Sequence, residues 1–494
     1  MWRAGMTKVT VVFMEFYGET PGHDLTYSDV FLLPSHSGVT SRFDVSLNPG
    51  DGTGTQIPIV SANMTSVTGR RLAATLARRG GLGVLPQDMP LQELHDAIAW
   101  VKAQPVRWDT PYYALPHERV ADVFQRLPAS RGLGIVITEG NQRETFLGAL
   151  TTLQLATAMP DARVGDLLHG AMTALDAEDI DDGHAAFKAM TAAGLEFAPV
   201  IEHGRLVGTL SITSALRSTI YQPACDAEGR LRVAVALGIN GDIAAKARAL
   251  VASGVDVLVL DTAHGDQDAM LRAVREVAAL KLGVPLVAGN VVTGRAVKEL
   301  VLAGADIIKV GVGPGAMCTT RMMTAVGRPQ FSAVLETSAA AVECHAHVWA
   351  DGGVRYPRDV ALALAAGGAS VMIGSWFAGT IESPGVLFRD ERGALYKESW
   401  GMASTKAVRE RFGRVDEFER ARKELFAEGI SESRIPLNPE RPSVEDLVDM
   451  IAAGLRSAMT YTGAQDLAQF RERARVGFQS AAGYDEGKPL PGGW

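Results

Sequence analysis

The sequence predicts an α/β protein in which a parallel (β/α)8 barrel of the TIM type is interrupted by a second, smaller unit. From about Val233 onward, short β-branched runs alternate with Ala- and Leu-rich segments of helical period, which is the pattern of repeated βα units around a parallel sheet. Two runs of the same kind occur before residue 100, and a stretch of different character separates them from Val233. We therefore assign residues 1–105 and 223–494 to the barrel and residues 106–222 to an insertion.

The predicted barrel strands are apolar on both faces, because strands of a closed barrel are buried from both sides. In chain order, these strands are 57–63, 81–85, 257–260, 285–288, 307–310, 347–350 and 371–373. Barrel enzymes place their chemistry at the carboxyl ends of the strands. We therefore expect the residues that end these runs to meet on one face, namely Asp261, Asn290, Gly311, Asp351 and Gly374.

The insertion contains a weak internal duplication. Residues 134–137 and 146–150 predict two strands, and residues 197–201 and 206–210 repeat them, with Ala- and Leu-rich helical sequence alongside each pair. Two tandem β-α-β-β-α units within a loop resemble a pair of CBS modules. The resemblance implies a regulatory purine nucleotide, ATP or GTP, bound to the insertion. The alternative is an inserted domain that only mediates assembly.

The composition argues against several classes of function. A formal charge of -8, with no stripe of Lys and Arg among aromatic residues, argues against nucleic-acid binding. Cys225, Cys318 and Cys344 lie too far apart in sequence for a disulfide framework or a Cys-x-x-Cys metal site. No run approaches the roughly 18 apolar residues of a membrane span, and the N-terminus lacks a signal-peptide pattern. We expect a soluble, cytoplasmic protein without a membrane partner.

A glycine-rich loop, GVGPGAMCTTR, directly follows the predicted strand 307–310 and contains Cys318. Glycines let the backbone turn tightly, and a thiol in such a loop can be held close to an electrophilic carbon. The loop therefore favours a catalytic cysteine. The alternative is a phosphate-binding loop with an incidental cysteine.

That loop, followed by VGRPQFSAV, resembles the active-site loop of the IMP dehydrogenase/GMP reductase family. Other stretches similar to the family occur in the same order: LTYSDVFLLP at 25–34, IPIVSANMTSVT at 57–68, LDTAHG at 260–265, AGNVVTG at 288–294, ADGGVRYPRDV at 350–360 and VMIGSWFAG at 371–379. Together they span nearly the whole barrel. The resemblance implies an NAD(P)-dependent oxidoreductase that acts on a purine nucleotide.

Carried over residue by residue, the resemblance implies three catalytic residues. Cys318 matches the nucleophile that bonds to purine C2, and Thr320 matches its partner in proton handling. Glu428 matches the acidic residue on the purine N1 side, with an ordinary exposed loop glutamate as the alternative.

The substrate site follows in the same way. Asp351 matches the carboxylate that takes the ribose hydroxyls, with a turn cap as the alternative. Gly353, Gly374 and Ser375 match the phosphate site, where backbone amides bind the dianion. The resemblance also implies substrate-binding residues in the string that leads to Thr405, namely Gly401, Met402 and Ala403.

For the cofactor, the resemblance implies NADPH, or NAD in a dehydrogenase, bound at Asp261, Thr262, Ala263, Asn290 and Gly311. A purely structural role for Asn290 is the alternative. The carbonyl groups of Gly313, Gly315 and Cys318 would form a monovalent cation site for potassium, K+. His264, His345 and His347 lack further ligands at suitable spacing, so we interpret them as structural.

Two family reactions are open. IMP dehydrogenases activate water with an Arg-Tyr pair, and this chain has Arg414-Val415 at the corresponding place. GMP reductases carry a glutamate where this chain has Thr405, which cannot donate a proton as a carboxylic acid does. Ala316 and Ser399 also depart from the usual Ser and Tyr.

We favour GMP reductase of the actinobacterial type, which takes GMP to IMP, with Glu398 or Glu428 in place of the missing acid. IMP dehydrogenase is the alternative, and a nucleotide sensor without turnover is the second alternative. The resemblance also implies a homo-oligomer, either a homotetramer or a homooctamer.

Overall fold

The structure is a computed structural model that describes residues 14–19, 22–140, 146–168, 173–401, 418, 421–422, 425 and 432–488. Within these ranges, no helix combines the length and the apolar character needed to cross a membrane.

The first part of the chain supplies two edge strands and the first two barrel strands. Its elements are β1 (Glu15–Phe16), a 3-10 turn (Tyr27–Asp29), β2 (Val30–Leu32), a second 3-10 turn (Arg42–Asp44), β3 (Ile59–Ser61), α1 (Arg70–Arg78), β4 (Leu82–Leu85) and α2 (Leu91–Lys102). The two runs predicted before residue 100 are therefore confirmed as strands β3 and β4.

The inserted segment is built from two units of the same topology. Its elements are β5 (Tyr113–Ala114), α3 (Val120–Phe124), β6 (Gly134–Thr138), β7 (Phe146–Thr151), α4 (Thr152–Leu155), a 3-10 turn (Val164–Leu167), β8 (Leu175–Asp176), α5 (Gly183–Ala192), β9 (Phe197–Glu202), β10 (Arg205–Ser211) and α6 (Ile212–Arg217). In each unit the middle strand pairs with a parallel strand on one side and an antiparallel strand on the other. The internal duplication predicted from the sequence is confirmed.

The chain then returns to the barrel. The elements are β11 (Ala234–Leu237), α7 (Ile243–Ala252), β12 (Val257–Asp261), α8 (Asp268–Ala278), β13 (Leu286–Val291), α9 (Gly294–Ala303), β14 (Ile307–Val310), α10 (Thr320–Thr324), α11 (Gln330–Glu343), β15 (His347–Asp351), α12 (Pro357–Ala365), β16 (Ser370–Ile373) and α13 (Ser375–Ala378). Eight described strands close a parallel barrel in the order β11, β12, β13, β14, β15, β16, β3, β4. The predicted TIM barrel is confirmed.

The barrel interior is a packed core and not a channel, as expected for this architecture. One side chain in two along each strand points inward, and Trp349 is the largest of them. The indole N–H of Trp349 donates to Asp51 Oδ2 over 2.9 Å, which satisfies the one polar atom of that ring. The other side of each strand packs against the surrounding helices. The interior is thus filled, and the carboxyl ends of the strands are left for binding.

The last part of the chain adds a small antiparallel sheet and a helical cover. Its described elements are β17 (Phe388–Arg389), β18 (Leu395–Trp400), β19 (Glu432–Pro436), α14 (Val444–Thr462), α15 (Leu467–Arg473), β20 (Arg475–Phe478) and α16 (Ala481–Glu486). Strand β18 lies between β17 and β19, and β20 lies between β1 and β2. Both small sheets lie outside the barrel and were not predicted.

Buried ion pairs join the insertion to the barrel. Arg217, the last residue of α6, contacts Glu445, Asp446 and Asp449 of α14. Arg79, the residue that follows α1, contacts Glu445 at 2.6 Å and Asp109 at 3.0 Å. Because the two arginines share Glu445, helices α1, α6 and α14 are held together by one charge network.

Candidate functional site

A cavity of about 330 Å³ opens at the carboxyl ends of the barrel strands. Segments that follow β3, β4, β12, β13, β14, β15 and β16 line it, together with Gly401 at the end of β18. The five strand-end residues predicted to share one face, from Asp261 to Gly374, all line this cavity. Their convergence follows from the parallel sheet, since its carboxyl ends meet at one edge.

The loop after β14 is shaped by two glycines, one packed against the backbone of β15 and one against a side chain of α10. Gly311 has φ 147°, and a Cβ there would collide with the carbonyl oxygen of Asp351. Gly313 has φ 85°, and a Cβ there would collide with the side chain of Arg321. Only glycine lets this loop pass so close to β15. The loop is thereby held against the strand that carries Asp351.

Cys318 lies at the end of this loop, just before α10. Its side chain is exposed and lines the cavity, and its backbone N–H donates to the carbonyl oxygen of Gly315 over 3.0 Å. Thr320, the first residue of α10, is half-buried and lines the same cavity. A thiol that reaches open cavity space is accessible to an electrophile bound there.

A network of polar side chains forms the floor of the cavity. Lys309 on β14 places its Nζ 2.7 Å from Asp351 Oδ2 and 3.5 Å from Asp261 Oδ1. The side-chain amide of Asn290 donates to Asp351 Oδ2 over 2.9 Å, and that of Asn63 donates to Asp261 Oδ2. The two carboxylates thus share one ammonium group, and each also accepts a bond from an asparagine.

Lys309 is only 2% exposed. Burial opposes its charged form, but the nearby Asp261 and Asp351 carboxylates outweigh burial and raise the pKa of Lys309 above its ordinary value. Lys309 is therefore a buried ammonium group at neutral pH.

The opposite side of the cavity is made of backbone. Gly353 has φ 82°, and a Cβ there would lie 3.3 Å from atoms of Gln330, Pro314 and Tyr27. Gly374 precedes α13, and Ser375 is the first residue of that helix. These positions give backbone N–H groups and one hydroxyl at the cavity surface, which can bind an anion through their dipoles.

Two buried acceptors on the cavity wall have no partner among the residues that the structure describes. They are Asn290 Oδ1 and Gln87 Oε1. Unpaired buried acceptors are costly unless a ligand donates to them. With Thr262 and Ala263, which also line the cavity, they fit a ligand that carries an amide or amino group, such as a nicotinamide.

Some predicted residues lie elsewhere or outside the described part. Met402, Ala403, Thr405, Arg414, Val415 and Glu428 lie outside the described residues. Glu398 is exposed on β18 and does not line the cavity. The Ser399 hydroxyl is buried and lies within hydrogen-bonding distance, 3.0 Å, of the Ser66 hydroxyl. Ser399 does not line the cavity.

The three histidines do not join the cavity. His264 and His345 are exposed, and His347 is half-buried at the start of β15, where burial lowers the pKa of its ring. Among the described residues, no group of three or more His, Cys, Asp or Glu could hold a metal ion.

Sequence reasoning missed three residues of the site: Asn63, Gln87 and Lys309. Lys309 gave the clearest signal, since it interrupts the apolar run 307–310 of a buried strand. A lysine in such a position requires carboxylate partners. Asn63 ends the predicted strand 57–63 and Gln87 comes two residues after the predicted strand 81–85, and neither carried a signal that set it apart from other strand-end residues.

The sequence matches the profile described as IMP dehydrogenase / GMP reductase domain over residues 24–490. GMP reductases of Mycobacterium bovis and Mycobacterium tuberculosis are 52% identical to it over 484 residues, which is 97% of this chain and 99% of each relative. An inosine-5'-monophosphate dehydrogenase of Staphylococcus saprophyticus is 35% identical over 474 residues, which is 94% of this chain and 95% of that protein.

A solved structure gives the same result for the fold. A cysteine-to-alanine variant of GMP reductase from Trypanosoma brucei, in complex with guanosine 5'-monophosphate, is similar with a TM-score of 0.67 and 30% identity. The similarity covers 95% of this chain and 98% of that chain.

Proposed function

The chain belongs to the IMP dehydrogenase/GMP reductase family, and from this premise we propose that it is a GMP reductase. It is an oxidoreductase that acts on a purine nucleotide with a nicotinamide cofactor. In the proposed reaction GMP, NADPH and two protons give IMP, NADP+ and ammonium. The observation that carries the proposal is the 52% identity, over 97% of the chain, to mycobacterial proteins named GMP reductase.

Cys318 is the proposed nucleophile. Its sulfur attacks C2 of GMP, the bond from C2 to the exocyclic nitrogen breaks, and the amino group leaves as ammonia after it takes a proton. The purine then remains bound to Cys318 as a thioimidate. The cofactor, when bound, supplies the hydride that converts this adduct to IMP and free thiolate. The position of the thiol at the cavity surface supports this role.

Departure of ammonia needs a proton donor. Thr320 lies two residues beyond the thiol and lines the same cavity, so we propose that its hydroxyl relays the proton. Thr405 cannot be the final acid, and Glu398 is exposed outside the cavity lining. We therefore favour Glu428 over Glu398 as the acid.

The nucleotide is held by the remaining lining residues. Asp351 accepts bonds from the ribose hydroxyls, since its carboxylate reaches the cavity while Lys309 and Asn290 hold it from behind. Backbone N–H groups at Gly353 and Gly374 and the Ser375 hydroxyl bind the phosphate. We assign the base to Gly401, Met402 and Ala403.

The cofactor residues are Asp261, Thr262, Ala263, Asn290 and Gly311. The unpaired Asn290 Oδ1 supports a carboxamide partner, because an amide N–H would satisfy it. The carbonyl groups of Gly313, Gly315 and Cys318 would hold K+. The Gly315 carbonyl already accepts one bond from Cys318 N–H, so it has one lone pair left for a cation.

A regulatory role is proposed for residues 106–222, between the barrel parts 1–105 and 223–494. The duplicated β-α-β-β-α topology supports a CBS pair that binds ATP or GTP. Ion pairs from α6 to α14 connect it to the barrel. We further propose a homotetramer that pairs into an octamer.

IMP dehydrogenase is the second candidate, favoured by the 35% identity to the staphylococcal enzyme. Val415 argues against it, since a tyrosine that activates water is missing there.

Absorbance at 340 nm distinguishes the two reactions. We expect wild-type protein to oxidise NADPH with GMP, and Cys318→Ala to have no activity. Cys344→Ala is the matched control, because Cys344 is a half-buried cysteine outside the cavity. NADH formation from IMP and NAD, with no NADPH loss on GMP, would assign the dehydrogenase reaction instead.

A further inference from the structure

We propose that Lys309 is a positioning residue that joins the nucleotide side of the cavity to the cofactor side by holding Asp351 and Asp261 on one ammonium group. The proposal rests on the proposed function, which assigns Asp351 to the nucleotide and Asp261 to the cofactor. Lys309 lies in the cavity floor but is only 2% exposed, and its ammonium group contacts the two carboxylates, so we assign it no direct contact with either ligand.

The first observation is the geometry of the three charges. Lys309 lies on β14, Asp261 ends β12 and Asp351 ends β15. The contacts of the ammonium group therefore link side chains from three different strands. Its Nζ lies 2.7 Å from Asp351 Oδ2 and 3.5 Å from Asp261 Oδ1. One cation therefore contacts two carboxylates that come from two other strands.

The second observation is the space that the neighbouring strand leaves for this side chain. Gly289 on β13 lies opposite Lys309 in the strand register. A Cβ at position 289 would lie 2.7 Å from Lys309 Cβ and would collide with the Lys309 carbonyl oxygen. A residue larger than glycine there would push β14 away at the position that carries the lysine. Strand β13 thus leaves room for the backbone and Cβ of residue 309, which lets β14 pack close at this point.

The third observation concerns charge balance. In the described part of the chain, the titratable groups that line the cavity are Asp261 from β12, Lys309 from β14, Asp351 from β15 and Cys318 from the loop after β14. Asn290 and Asn63 add neutral donors to the carboxylates. Without the ammonium, two carboxylates would face each other with no cation in the lining, and one of them would take up a proton more readily.

That protonation gives the proposal its measurable consequence. A protonated Asp351 accepts fewer bonds from the ribose hydroxyls, so nucleotide affinity falls. The loss grows as pH decreases, because protonation is favoured at lower pH. If Lys309 only filled space, its replacement would lower the stability of the protein but would not make GMP affinity depend on pH in this way.

The test compares Lys309→Met with wild-type protein by calorimetric titration of GMP, without cofactor, from pH 5.5 to 8.5. We expect affinity to fall at least about ten-fold at pH 7, as for the loss of a bond to a charged group. We also expect the pH at which affinity begins to decline to move upward, because the cation that favours the ionised carboxylates is gone. Lys397→Met is the matched control, because Lys397 is another buried lysine and does not line the cavity.

A double-variant comparison tests whether Lys309 acts through Asp351. If it does, adding Lys309→Met to Asp351→Asn lowers GMP affinity by much less than Lys309→Met does in the wild-type background. Equal effects in both backgrounds would overturn the proposal. So would unchanged affinity and pH dependence in a folded Lys309→Met protein.

Two further variants or ligands complete the test. If Lys309→Met does not fold, Lys309→Met/Asp261→Asn removes one positive and one negative charge and leaves Asp351 without its cation, and GMP affinity is again expected to fall, by less than in Lys309→Met because the second carboxylate is gone. IMP is titrated in parallel, so a protein that proves to be a dehydrogenase still reports on Lys309. Failure of the proposed function is then visible in turnover alone, while failure of the Lys309 proposal is visible in binding.

Discussion

Asp351 is oriented before any ligand binds. Its Oδ2 accepts from Lys309 and from Asn290, and this leaves Oδ1 for the cavity. A carboxylate held in this way binds a ligand without a further loss of side-chain freedom.

We predict that Asp351→Asn raises the KM for the nucleotide by about ten- to a hundred-fold, since hydrogen bonds to a charged acceptor contribute about 1.5 to 3 kcal/mol. The amide keeps the size of the side chain, so the melting temperature reports whether the fold is retained. Initial rates at 340 nm across a range of GMP concentrations measure the effect. An unchanged KM in the folded variant would remove Asp351 from the nucleotide site.

Gly353 allows a second test at a single position. We predict that Gly353→Ala raises the KM for GMP at least several-fold, because its positive φ resists a side chain and its Cβ would crowd Gln330, Pro314 and Tyr27. Gly393→Ala is the matched control: its φ is 84°, and the nearest atom to its Cβ is an arginine nitrogen 3.9 Å away. Both variants should lose about 1 kcal/mol of stability from the backbone. If both leave KM unchanged, Gly353 does not shape the phosphate site.

Much of the cavity lining could be predicted from the sequence. Asp261, Asn290 and Asp351 lie at strand ends that parallel topology brings together, and Cys318 lies in the loop that follows β14. Lys309 was missed for a physical reason. Its partners lie 48 residues before and 42 residues after it in the chain, and no local pattern shows that three strands bring them within hydrogen-bonding distance.

At the scale of the secondary-structure elements, a buried acid from another segment, Glu382, lies against the N-terminus of α14. Glu382 accepts from the Ser443 hydroxyl over 2.6 Å and from the Val444 N–H over 2.9 Å. Burial raises the pKa of Glu382 to about 7, although the bond from Ser443 opposes this. The folded protein therefore holds this proton more tightly than the unfolded chain does.

The sign of the pH dependence follows. Glu382 contributes stability that is fully present below its ordinary pKa of 4.5, and this contribution is lost as the pH rises through about 7. We predict that the stability of wild-type protein relative to Glu382→Gln falls by about 3 kcal/mol between pH 4.5 and 7.5. Urea unfolding of both proteins across this range measures it. A constant difference between them would contradict the assignment.

The contact between α6 and α14 gives a second prediction. Arg217→Met leaves Glu445, Asp446 and Asp449 without this partner, and breaking such a buried network costs about 3 to 5 kcal/mol. Arg131→Met is the control, because its contact with Glu196 is 3.8 Å long and exposed and is expected to contribute at most about 1 kcal/mol. Thermal unfolding compares the two. Equal losses would mean that Arg217 does not hold the insertion in place.

The barrel strands were predictable as elements because each is a continuous apolar run bounded by polar residues. The sheet of β17, β18 and β19 was not predicted. Strand β18 alternates buried and exposed residues, and its partner β19 follows only after residue 431. Pairing across such a distance leaves no signature within either strand.

At the scale of the whole molecule, the insertion divides the barrel after its second strand and returns the chain to the third. Barrel closure therefore requires β4 to pair with β11 across the inserted segment. The charge network of Arg79, Arg217 and Glu445 lies at this same junction. On the regulatory proposal, a ligand that changed the insertion would act first on α1, which packs on β4, and on α14, which packs on α1 and α12.

The most direct test of the proposed reaction is the amount of ammonium released for each NADPH oxidised. With GMP as substrate, we expect one ammonium and one IMP per NADPH, measured by an enzymatic ammonium assay and by chromatography of the nucleotides. Cys318→Ala should release neither product. Ammonium-free turnover that converts IMP to XMP with reduction of NAD would contradict the reductase assignment.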